Sequence, residues 1–93
     1  MKAGTQIAYV PRHANGDIAH PDVEFGFVMS TSLKRDMHFC RYWRKGHLGE
    51  LRTTANSELT PDDLLVEYQS VTQAVMDKAL KQIDDESVYE GDR

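Results

Sequence analysis

The chain has 93 residues, 40% of them apolar, which gives one domain with one modest core and little room for a substrate buried in an internal cavity. It holds one cysteine, Cys40, so an intramolecular disulfide is excluded, and no apolar run approaches the roughly 18 residues that a membrane-spanning helix needs. The net charge of −4 is unevenly spread. Residues 34–52 carry Lys34, Arg35, Arg41, Arg44, Lys45 and Arg52 against Asp36 and Glu50, a net +4, whereas residues 53–93 carry −7.

The first expected strand is Gln6 to Val10, where β-forming Ile7, Tyr9 and Val10 are stopped by Pro11. An 11-residue loop follows, with turn signals at Asn15-Gly16-Asp17 and His20-Pro21-Asp22. Loops of that length in small domains are often functional. Val23 to Ser30 alternates as a second strand, with Val23, Phe25, Phe27 and Met29 on one face, and Gly26 suggests a bulge or bend. Thr31 to Asp36 is a polar turn. Met37 to Trp43 is a third strand whose inward face is ambiguous, because Met37, Phe39, Arg41 and Trp43 alternate with His38, Cys40 and Tyr42.

Arg44 to Gly49 reads as a turn and Glu50 to Thr54 as a fourth strand. Thr60-Pro61-Asp62-Asp63 predicts a short helical turn, capped by Thr60 with Pro61 at its first position. Leu64 to Tyr68 is a closing strand. Ser70 as cap and Gln73 as its capping-box partner predict a helix over 70–83, with Val71, Ala74, Val75, Ala79, Leu80 and Ile83 as its apolar stripe. Residues 84–93 read as a flexible acidic tail. The expected core includes Val10, Phe25, Phe27, Phe39, Leu65 and Val75. Since no helix separates successive strands, the order predicts a mainly β (α+β) domain over 1–83, a small SH3-like barrel of four to five strands with a C-terminal helix.

The runs Ile7-Ala8-Tyr9-Val10-Pro11-Arg12-His13-Ala14-Asn15-Gly16-Asp17 and His20-Pro21-Asp22-Val23-Glu24-Phe25-Gly26-Phe27-Val28 resemble small proteins of bacteriophages and prophages. These share a His-Ala-x-Gly-Asp loop and a His-Pro-Asp turn. Phe39-Cys40-Arg41-Tyr42-Trp43 and Thr60-Pro61-Asp62-Asp63-Leu64 extend the likeness, which covers residues 4–66. The resemblance implies an SH3-like fold, a phage origin and the host cytosol. It brings no established activity and no catalytic residue.

Two constellations are candidate sites. His13, Asp17, His20 and Asp22, with Glu24 beside them, crowd the long loop. They could ligate a divalent metal, but the spacing fits no standard motif, and turn-capping carboxylates with backbone-bonded histidines are the preferred reading. No metal or cofactor is therefore expected. Arg41, Tyr42, Trp43, Arg44, Lys45 and Arg52 mix cations with aromatics and form the expected partner-binding surface. Its partner is expected to be a host or phage protein, with nucleic acid as the alternative. Cys40 beside His38 could suggest nucleophilic chemistry, but a reduced, packed thiol is expected.

The expectation is thus a non-enzymatic phage-type accessory protein of the host cytoplasm. It would bind a macromolecule, for instance to inhibit a host or defence protein. No membrane contact is expected, and the apolar helix face offers a route to homo-oligomers.

Overall fold

The computed structural model describes residues 1–52 and 57–91, the last six as backbone. It is mainly β, an antiparallel sheet with one C-terminal helix. The strands are β1 (Gln6–Tyr9), β2 (Glu24–Ser32), β3 (Met37–Arg44), β4 (His47–Leu51), β5 (Glu58–Pro61) and β6 (Leu65–Glu67), and the helix is α1 (Gln73–Gly91). Their hydrogen-bonded order is β4-β3-β2-β1-β6, with β5 pairing β3 off that path. The sheet is not closed, and it has six strands rather than four or five.

The extra strand is β5, formed where only a helical turn is expected. The expected turn over 44–49 shrinks to Lys45-Gly46, because Gly46 at φ 78° reverses the chain in two residues and Arg44 faces His47. β4 therefore starts at His47, and the part of the expected fourth strand at 53–54 lies outside the described residues. Thr60 belongs to β5 and does not cap the turn that follows. Asp62–Leu64 is a 3-10 turn with Pro61 as its N-cap. The irregularity expected at Gly26 falls between Val28 and Ser30. Gly26 answers a different need: a Cβ there would meet the Arg41 carbonyl oxygen at 2.0 Å, so only glycine allows β2 and β3 to approach so closely.

Both faces of the sheet are covered. Ile7, Val28, Cys40, Tyr42 and Leu65 form one buried cluster with Tyr9 against it. Phe27, Trp43, Met76, Ala79 and Ile83 form the other, between sheet and helix, flanked by Phe25, Met29, Leu51, Val71 and Leu80. This resolves the ambiguous pattern of β3, which is central and has no solvent face along 40–43. Of the expected core, Phe27 and Leu65 are buried, whereas Val10, Phe25 and Val75 are only partly so. Phe39 is 36% exposed: it shares a strand face with Arg41 and Trp43 but lies outside the helix-covered cluster.

The helix begins later than its capping box predicts. Thr72 accepts the Val75 amide at Oγ1 (3.3 Å), while Ser70 is occupied elsewhere. The Ser70 amide donates to Gln6 Oε1 (3.0 Å) and its hydroxyl accepts the Trp43 indole N–H (3.2 Å). Gln6 Oε1 also accepts the Val71 amide (3.0 Å), and its Nε2 donates to the Val71 carbonyl (2.9 Å). One side chain of β1 thereby fastens the entry to the helix. Met76, absent from the expected stripe, is its most buried residue, and Ala74 is exposed, because the face docked on Phe27 and Trp43 is centred on Met76, Ala79 and Ile83. The helix continues beyond Ile83 to Gly91, through most of the segment expected as a tail. Among the described residues no helix is long and apolar enough to cross a membrane.

Candidate functional site

The long loop is built from successive tight turns. Pro11 leads into a 3-10 turn over Arg12–Ala14, and Asn15 follows in the left-handed region at φ 51°. The Asp17, His20 and Val23 amides then donate to the carbonyls of Ala14, Asp17 and His20, at 3.0–3.1 Å. Asp17 Oδ1 accepts the Ala19 amide (2.9 Å), as expected of a turn-capping carboxylate. His20 Nδ1 accepts the Asp22 amide (3.0 Å), and His13 Nε2 lies 2.6 Å from Asp22 Oδ2. The hydrogen bond from His13 holds the Asp22 carboxyl below its ordinary value. The His13 and His20 rings meet edge to face, with centroids 5.2 Å apart. Of the four loop candidates the fold brings His13, His20 and Asp22 together. Asp17 is engaged by its own turn and Glu24 by Arg52.

The basic and aromatic set divides differently from its expected single surface. Arg41, Tyr42 and Trp43 are buried because β3 is covered on both sides. Tyr42 shares a hydrogen bond with the Thr60 hydroxyl (2.9 Å), and burial pushes its phenol far above the usual range. None of these three can offer a stacking face to a base. Arg44 and Lys45 stand exposed at the β3–β4 turn. Arg52 is half-buried: it pairs with Glu24 and with Glu58 (2.9 Å), and its guanidinium lies 5.4 Å over the Tyr42 ring.

His20 of the loop set and Arg44, Lys45 and Arg52 of the basic set border one groove of about 500 Å³. Ile18, His20 and Pro21 form one wall, and Arg44, Lys45, Leu48 and Arg52 the other. Phe25, Trp43 and Tyr68 line it between them, and Phe25 and Tyr68 stack with centroids 5.2 Å apart. Leu48 is 56% and Tyr68 43% exposed. Arg44 is paired with Glu50 (2.9 Å), while Lys45 has no hydrogen bond or ion pair among the described residues. The groove thus offers an apolar, partly aromatic floor beside an available cation. Sequence reasoning missed Phe25, Leu48 and Tyr68 as site residues, since they carry no motif and meet only through the pairing of β1 with β2 and β6 and of β3 with β4.

Chemistry at Cys40 gains nothing from the fold. Burial raises the thiol above its ordinary value, the wrong direction for a nucleophile. Neighbouring His38 is also buried and engaged at both ring nitrogens, by Thr31 Oγ1 (2.8 Å) and Asp62 Oδ1 (2.6 Å). That imidazole ties β2, β3 and the 3-10 turn together.

Compared with known protein families, curated proteins and solved structures, the chain matches none.

Proposed function

We propose that this protein is a non-enzymatic binding domain whose groove, between the 17–23 loop and the β3–β4 turn, takes a segment of a partner protein. The observation that carries this reading is the pairing of partly exposed Leu48 and Tyr68 with Lys45 along one concave surface. Exposed apolar groups in a concavity mark interaction sites, and aromatic anchors beside cations supply most of the energy in small interfaces. The matching partner presents an apolar or aromatic side chain next to a carboxylate. Nucleic acid is the weaker alternative, because Tyr42 and Trp43, the aromatics set among the basic residues, are committed to the core.

We place the domain with phage-type accessory proteins of the bacterial host cytoplasm, on the loop and turn patterns of residues 4–66. The strand order supports an SH3-like, incompletely closed variant of a small barrel. Occupation of a host or defence protein, inhibiting it, is the concrete activity proposed.

The test is affinity capture from bacterial lysate with and without nuclease, using the parent chain and a Leu48→Asp, Tyr68→Ala variant. One protein recovered by the parent after nuclease treatment, and lost with the variant, supports the reading. Filter binding to single-stranded DNA or RNA that survives about 150 mM salt and is abolished by Lys45→Glu would favour nucleic acid instead.

A further inference from the structure

The long loop gathers three metal-ligating side chains on its outer side. His13, His20 and Asp22 each bring one donor atom to within 4.8 Å of the other two. Donors about 2.1 Å from one tetrahedral or octahedral ion lie roughly 3.0–3.5 Å apart. Small side-chain rotations therefore suffice to close the set, with no rebuilding of the backbone. The chain trace that brings these residues together is fixed independently of any ion, by the successive turns through Ala14, Asp17 and His20 and by the buried Ala14 and Val23. His13 and Asp22 are 62% and 55% exposed, so an ion can reach them without opening the domain.

We propose that His13, His20 and Asp22 form a surface site for a divalent transition metal of the zinc type. Two imidazoles and one carboxylate are a donor set suited to zinc and its neighbours, and unsuited to magnesium or calcium, which prefer all-oxygen shells. Three protein ligands leave at least one position open to water or to a donor from a partner. His20 also lines the groove, which puts the site on the groove rim. The proposal stands apart from the groove reading, because the three ligands come from the loop alone.

The metal-free contacts set the expected strength. His13 Nε2 and Asp22 Oδ2, now 2.6 Å apart, must separate by about half an ångström for an ion to enter between them. His20 Nδ1 accepts the Asp22 amide, so neutral His20 carries its proton on Nε2. Coordination through either nitrogen gives up that hydrogen bond. Lys45 adds a repulsive charge near Asp22. The site therefore binds more weakly than closed structural zinc sites.

The experiment is calorimetric titration of tag-free protein with zinc chloride, paired with the visible spectrum of the cobalt(II)-loaded protein. One equivalent of metal is expected, with a ligand-field band of coordinated cobalt and a melting temperature raised by excess zinc. His13→Ala, His20→Ala and Asp22→Asn should each weaken binding about 10-fold or more. His47→Ala, which removes an exposed imidazole outside the cluster, should leave it unchanged. Melting of each variant without metal checks its fold. Should an alanine variant unfold, Asp22→Asn combined with His20→Gln keeps the loop volume and decides the question. Absence of zinc heat and of a cobalt band overturns the proposal. So does binding that survives the loss of both histidines, or that is lost equally with His47→Ala.

Discussion

Phe25 and Phe27 look interchangeable in the sequence, being two residues apart on one face of a strand, yet the fold separates them energetically. Phe27 is fully buried and packs on Trp43 with ring centroids 5.2 Å apart, under Met76 of the helix. Phe25 is partly exposed and turns one side to the groove. Truncating a fully buried Phe to Ala costs about 3–5 kcal/mol in lost transfer energy and cavity. A chain of this length is stabilised by about 5–14 kcal/mol in total, so Phe27→Ala removes about a fifth of it or more. At roughly 4–8 °C per kcal/mol, its melting temperature should fall by at least about 12 °C. Phe25→Ala loses only part of that contact and should cost about 2 kcal/mol. Urea unfolding followed by circular dichroism, with the slope checked for constancy, measures both differences. Equal costs for the two variants, or a larger one for Phe25→Ala, would refute the division between core and groove.

Gln6→Ala strips four hydrogen bonds from the helix entry, one of them long at 3.5 Å, and should destabilise the chain by about 2–3 kcal/mol, with urea melts as the readout. Thr72→Ala should cost about 1 kcal/mol by loss of the N-cap, while Ser70→Ala perturbs the Trp43 indole, visible as a shift in its fluorescence. Tyr42 should make the protein sensitive to alkali. Its folded pKa lies above the ordinary 10.0, so its contribution is fully present below that value and declines as pH rises above it, where only the unfolded chain ionises. Tyr42→Phe should flatten that decline in melts taken between about pH 9 and 11. Cys40, buried and with a raised pKa, should resist a thiol reagent at neutral pH in the native state and react fully once urea unfolds the chain.

Local signals were enough to place β1, β2, β3, the 3-10 turn and the helix, because each has its own pattern of apolar residues bounded by Pro, Gly or Asp. They failed where tertiary context decides. β3 is buried on both sides along 40–43, and a strand so buried has no alternation to read. Arg41 sits among those buried residues, so its charge suggested a surface that does not exist. Ser70 and Thr72 are both plausible caps, and only a glutamine 64 residues earlier decides between them. The loop cluster was legible in part. His13, His20 and Asp22 stood out by residue type, but nothing in their spacing showed that Asp17 would cap its own turn and Glu24 would turn to Arg52.

The glutamine clamp also sets an order of events during synthesis. Gln6 is made first and waits for a segment 64–65 residues downstream, so the helix is not seated until that segment has emerged. Contacts of such long sequence separation form late and slowly. Until they form, the face that Met76, Ala79 and Ile83 will cover stays open, with Phe27 and Trp43 at its centre. A nascent chain not yet extended through Met76, Ala79 and Ile83 would carry a bare aromatic patch, and that interval favours aggregation or chaperone capture.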